Sequence, residues 1–115
     1  MRMVNRAAVV VTPKQPFLDW GNSLEPGGVV LTLDTVMGEP TVYLVRDVED
    51  EAAVQRVLRR HFAEIFEHEL AGWWTDPGAW PQQRDFRTFK KWFDVAIHSL
   101  VFDLEQGTIV HDMQE

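Results

Sequence analysis

The sequence predicts an α+β domain: a small three- or four-stranded sheet packed against one long helix and two or three short helices. Three observations predict it. Residues 47–70 carry an apolar period of 3.6. The segments 7–11, 41–46 and 94–104 are β-branched or apolar and flanked by turn or acidic residues. Helix-type signals separate these segments, and neither a repeat nor a linker interrupts the 115 residues. That length fills one domain, residues 1–115, with a radius of gyration of roughly 13 Å.

The elements follow in order. Ala7 to Val11 reads as a first strand ending at Thr12. Thr12-Pro13-Lys14-Gln15 then has the form of a helix start, with Thr12 as N-cap, Pro13 at the first helical position and Gln15 three residues past the cap. Phe17, Leu18 and Trp20 form its buried side and Gly21-Asn22 its stop. Val29 to Leu33 reads either as an extra strand or as the lead-in to a short helix over Thr32 to Met37. Thr41 to Arg46, between Gly38-Glu39-Pro40 and a run of acids, reads as a strand.

The long helix is predicted over Asp47 to Leu70, capped by Asp47, with Glu49, Asp50 and Glu51 placed where the helix dipole favours negative charge. At 100° per residue, Val54, Val57, Leu58, Phe62, Ile65 and Phe66 fall on one arc, while Arg56, Arg59, Arg60, Ala63 and Glu67 face water. Gly72 marks its end. Trp73 to Pro81 is a turn-rich connection in which Asp76-Pro77 can start a short helix. Phe86, Phe89 and Phe93 then form the stripe of a further helix. The last strand, Asp94 to Leu104, is apolar on both faces, as expected of a central strand or of a surface completed by another subunit.

The composition narrows the function. The net charge of −7 is local: residues 47–79 hold eight acids and three bases. Arg84, Arg87, Lys90 and Lys91 are the only basic cluster, too small for the counterion release that nucleic-acid binding requires, so no nucleic acid is expected as a partner. The longest strictly apolar run, Ala7 to Val11, is far short of the ~20 residues that span a bilayer, and no membrane partner is expected. There is no cysteine, which fits a reducing cytoplasm. Gly27-Gly28 has no phosphate-binding spacing, there is no Gly-x-Ser-x-Gly elbow, and the acids at 47–51 lack the ligand pattern of a calcium loop. No cofactor or metal is called for.

Two constellations remain. His61, Glu64 and His68 share one side of the long helix, and with His98 they are the candidates for acid–base or metal-assisted hydrolytic chemistry. His61 and His68 are seven residues apart, roughly 10.5 Å along the axis, so a shared metal needs Glu64 with one of them and a third ligand such as His98. The plainer reading makes them interfacial histidines with hydrogen-bonded partners. His111-Asp112 lies near the polar C-terminus with no partner motif. The second constellation is Trp73, Trp74, Trp80 and Trp92 with the nearby phenylalanines. They either peg an irregular connection to the core or anchor a partner.

The stretches 13–20 (PKQPFLDW), 66–74 (FEHELAGWW) and 92–104 (WFDVAIHSLVFDL) resemble a family of small, acidic bacterial proteins of unknown function. The resemblance implies a bacterial cytoplasmic protein and carries no activity or catalytic residue with it. The resulting expectation is a non-catalytic cytoplasmic interaction module, self-associating as a homodimer, with the tryptophans as contact surface. The alternatives are a small metal-assisted hydrolase and an acidic immunity- or antitoxin-type protein that covers a basic partner.

Overall fold

A computed structural model gives the fold, and it describes residues 1–25, 27–34 and 40–112. The chain is α+β, as the sequence predicts. Strands β1 (Arg2–Met3) and β2 (Arg6–Pro13) lead into helix α1 (Gln15–Leu24); strand β3 (Thr41–Arg46) precedes the long helix α2 (Glu51–Trp73). A 3-10 turn (Pro77–Ala79), helix α3 (Phe86–Trp92), strand β4 (Phe93–His98) and strand β5 (Phe102–Asp103) complete it. The main sheet is antiparallel with order β3-β2-β4, and β1 pairs with β5 in a separate two-stranded ladder.

The alternation in β2 decides which side of the sheet is covered. Ala7, Val9 and Val11 are fully buried. They pair with Val45, Tyr43 and Thr41 on one side and, for Val9 and Val11, with Ile97 and Val95 on the other. These residues face the helices. The even-numbered residues of β2 and their partners Leu44, Val42, His98, Ala96 and Asp94 lie on the opposite side.

The helical layer is held by aromatic rings. Phe66 of α2 meets Phe89 at 6.0 Å, Trp92 at 5.6 Å and Phe93 at 5.3 Å between centroids. Phe17 of α1 reaches Phe93 at 5.6 Å and Trp92 at 6.3 Å. Phe66, Phe89 and Phe93 are almost wholly buried, so one cluster joins α1, α2, α3 and β4.

Several boundaries differ from those read off the sequence, each for a local reason. Pro13 stays in β2, opposite Phe93, and Lys14 becomes the N-cap of α1 with Pro16 in the first turn, so Thr12 caps nothing. Helix α1 runs through Gly21-Asn22 because packing requires a glycine there. A Cβ on Gly21 would sit 2.8 Å from Leu31 Cδ1 and 3.0 Å from Trp73 Nε1. Asn22 accepts from Leu31 N at 2.7 Å and donates to Leu31 O at 3.0 Å, which holds that segment by side-chain bonds in place of a strand ladder. Residues 35–37 of the short-helix reading over 32–37 lie outside the described residues. Helix α2 begins at Glu51, capped by Asp50 and not by Asp47: Asp50 Oδ1 accepts from Ala53 N at 2.8 Å. At its far end it passes Gly72 to reach Trp73.

The last strand is also different. It breaks after His98, and β4 lies at the edge of the sheet while β2 takes the centre. Between the two ladders the register slips, with five steps from Ala8 to Met3 against four from His98 to Phe102. The extra residue makes a bulge near Val4, whose N–H donates to Val101 O at 2.8 Å. The ribbon beyond the bulge lengthens the molecule to 47 × 32 × 28 Å, with a radius of gyration of 15.8 Å in place of roughly 13 Å.

Asp85 caps α3 by accepting from Thr88 N at 2.8 Å, and this bond holds its carboxyl below the usual carboxylate range. A lowered native pKa stabilises the fold above the unfolded value near 3.9, and that contribution is lost as pH falls through the native pKa.

Two stability predictions follow from these contacts. Phe89→Ala should cost about 3–5 kcal/mol in denaturant unfolding, since its ring is buried against Phe62 and Phe66 of α2 and Phe93 of β4. Asp50→Ala should cost about 1 kcal/mol while Asp47→Ala stays within about 0.5 kcal/mol; the reverse order would return the cap to Asp47.

Candidate functional site

The polar side chains that come together lie between β3 and the second half of α2. Tyr43 projects toward α2 because it shares the inward parity of Thr41 and Val45. Its hydroxyl donates to Glu69 Oε2 in a short bond. A phenol has one proton, so the 2.8 Å contact with His68 Nδ1 is a bond donated by the imidazole to the phenolic oxygen. The two rings meet edge-on at 5.6 Å. Burial and the neighbouring Glu69 carboxylate push the Tyr43 phenol far above its ordinary pKa. A cavity of about 300 Å³ opens beside this clamp, lined by Tyr43, Val45, His61, Glu64, Ile65 and His68.

His61, Glu64 and His68 therefore gather at one cavity. His98 does not join them. It pairs with Ala8 on the side of the sheet turned away from the helices, so the sheet lies between it and α2. Among the described residues, no three His, Asp or Glu side chains are placed to hold one metal ion. The geometry gives an imidazole, a phenol and a carboxylate that satisfy one another, which fastens an edge strand to a helix. The members that sequence reasoning missed are Tyr43 and Glu69. The strand parity of Tyr43 with Val45, and the position of Glu69 beside His68, were the signals available.

The tryptophans are spent inside the fold. Trp20 Nε1 donates to Ala79 O at 2.9 Å, Trp80 Nε1 to Trp74 O at 2.7 Å and Trp73 Nε1 to Gly21 O at 3.3 Å. Trp92 lies against Phe17, Trp20 and Phe66. All four predicted tryptophans are half-buried, and Trp73, Trp80 and Trp92 pack against the core, with the Trp73 and Trp20 indoles tying the 73–81 connection to α1. Asp76 supports the turn by accepting from Gly78 N at 3.0 Å. Arg84 closes it by donating to Pro81 O at 2.7 Å, with its guanidinium 5.9 Å from the Trp80 ring.

Two surfaces stay open. Among the described residues none forms a layer over the side of the sheet away from the helices, and its apolar residues are Ala8, Val10, Val42, Leu44 and Ala96. On the helix side, a cleft of about 560 Å³ follows β4, between α3 and the first turns of α2. Val54, Leu58 and Ile97 line it together with Lys14, Lys90, Asp94, Glu49, Asp50 and Glu51. No helix is long and apolar enough to cross a membrane among the described residues.

Tyr43 is the only tyrosine, so tyrosinate absorbance near 295 nm reports on it alone. A raised native pKa stabilises the fold below the unfolded value near 10, and stability declines as pH rises above it. The folded chain should show no tyrosinate at pH 10–11, the signal appearing only with unfolding, and Glu69→Gln should move its onset to lower pH. Ordinary titration near pH 10 in the folded protein would contradict the clamp. The chain matches none of the known families, curated proteins or solved structures with which it was compared.

Proposed function

We propose that this chain is a non-catalytic protein-interaction module that self-associates, a homodimer in its simplest form. The bare side of the sheet carries this reading. An antiparallel sheet with one side in water ordinarily alternates apolar-in and polar-out. Here the watered side is itself apolar, with Val42 57 % and Leu44 51 % exposed. Exposed Leu100, Phe102 and Leu104 extend apolar surface along the ribbon. A patch of this kind on a small domain marks a contact surface. The cysteine-free composition is compatible with the cytoplasm, where this reading places the protein, in a bacterial cell.

The other readings draw less support. A metal-assisted hydrolase needs a third ligand beside the helix pair; the sheet separates His98 from them, and no group of three His, Asp or Glu that could hold a metal ion is found among the described residues. An acidic cover for a basic partner needs a concentrated anionic surface, whereas the outer side of α2 sets exposed Arg56, Arg59 and Arg60 beside Glu67.

Sedimentation equilibrium on the intact chain tests the reading. A concentration-dependent dimer is expected, and a monomer at every concentration up to the millimolar range would overturn it. Trp74→Ala should change the dissociation constant by less than about threefold. A loss of tenfold or more (about 1.4 kcal/mol) with unchanged unfolding would move the contact surface to the tryptophan segment.

A further inference from the structure

Among the described residues strand β4 ends the sheet with its outer edge unpaired, and its sequence is complementary to itself. We infer that a second copy of this chain pairs with that edge, antiparallel, about a two-fold axis through Ala96, so that two three-stranded sheets become one of six strands. The inference rests on the self-association proposed above and names its geometry.

Antiparallel pairing about Ala96 sets each residue opposite the one equally far past the axis. Asp94 then lies opposite the partner's His98, and His98 opposite the partner's Asp94, both on the bare side, where the two side chains are exposed. Val95 lies opposite the partner's Ile97 on the helix side, where both are half-buried. Ala96, the smallest side chain of the strand, meets its own copy on the axis. A carboxylate opposite an imidazole and apolar β-branched pairs are cross-strand contacts that stabilise a sheet. A shift by two residues in either direction breaks the Asp94–His98 pairs, because Asp94 would then oppose Ala96 or Leu100.

The surroundings repeat the same symmetry. Lys14 follows Pro13, which pairs with Phe93, and its ammonium donates to Lys90 O at 3.0 Å, so both lysines stand at the start of β4. Glu49 and Glu51 follow Arg46, which is paired with Arg6 beyond the His98 end. The cleft along β4 thus has Lys14 and Lys90 beside Asp94 at one end and the acids Glu49, Asp50 and Glu51 at the other. An antiparallel partner brings the lysine end of each cleft to the acidic end of the other. The opposite edge, β3, has no such match. Its side chains carry no acid to oppose Arg46, and Tyr43 at its middle is already bound to His68 and Glu69.

Cysteine substitution reads the axis directly, since the chain has no cysteine of its own. Directly opposed residues in an antiparallel pair have Cα atoms about 4.5–5.5 Å apart, inside the range a disulfide spans. Two Asp94 residues would be offset by four positions, about 13 Å along the strand, beyond that range. Under mild oxidation Ala96→Cys should form covalent dimer several-fold faster than Asp94→Cys. Asp94→Lys should weaken the dimer at least fivefold, and Asp94→Lys with His98→Asp should restore it. If the native chain dimerises but Ala96→Cys cross-links no faster than Asp94→Cys, the edge pairing is overturned and self-association stands. If the charge swap does not restore the dimer, the register about Ala96 is overturned. A native chain that is monomeric throughout overturns both readings.

Discussion

The contact on which the rest of the molecule depends is the meeting of Phe66, Phe89 and Phe93. Those three rings belong to α2, α3 and β4, and Phe17 brings α1 to the same point through Phe93. Rings of this size bury far more apolar area per residue than the valines of β2, so the cluster outweighs any single strand contact. Once α3 is fixed by Phe89, β4 must begin where it does, because Trp92 ends the helix and Phe93 begins the strand without an intervening loop. The placement of β4 then sets its register on β2, from Pro13 opposite Phe93 to Ala8 opposite His98. Even the edge that β4 leaves open descends from where those rings pack.

Much of this was legible in the sequence because it rests on short-range pattern. The arc of Val57, Leu58, Ile65 and Phe66 is buried, and Arg56, Arg59, Arg60, Ala63 and Glu67 are exposed, as a 3.6-residue period requires. Thr41 to Arg46 forms its strand over the predicted range. What failed were features decided by tertiary partners. Thr12-Pro13 has the chemistry of a helix start, yet Phe93 captures Pro13 into the sheet. Gly21 has the chemistry of a stop, yet Leu31 and Trp73 approach so closely that the helix must keep it. The apolar character of residues 94–104 on both sides suggests a central strand. It is instead an edge with one side against the helices and the other bare. In the site, the helix histidines were visible from their spacing, whereas the hydroxyl that binds His68 comes from a strand 25 residues earlier.

The same distinction bears on the unusual aromatic supply between Trp73 and Phe93. Adjacent tryptophans in an irregular segment invite the reading of a binding surface, since the indole suits half-wet positions. Here three of the five indole N–H groups find carbonyls within the chain, on Gly21, Trp74 and Ala79. A donor already satisfied internally has little to offer a partner, and breaking it would leave a half-buried carbonyl without its bond. The tryptophans thus do the work of regular secondary structure over a stretch that has almost none.

Spending so much ring area on one side has a consequence for the other. A chain of 115 residues has one long helix and two short ones to place among the described residues, and the aromatic cluster draws all three to the same side of a three-stranded sheet. Among the described residues nothing of comparable size lies on the opposite side, yet the residues there are not the polar ones that tolerate water well. Alanine, valine and leucine at positions 8, 10, 42, 44 and 96 are what a strand carries when it is to be covered. Edge pairing through β4 would not cover that surface. It would join two such surfaces into one continuous six-stranded side, apolar in its middle rows, with Asp94 and His98 pairs along the seam. Edge pairing would therefore satisfy only the open edge of β4, and the apolar side would still call for a face-to-face contact of its own.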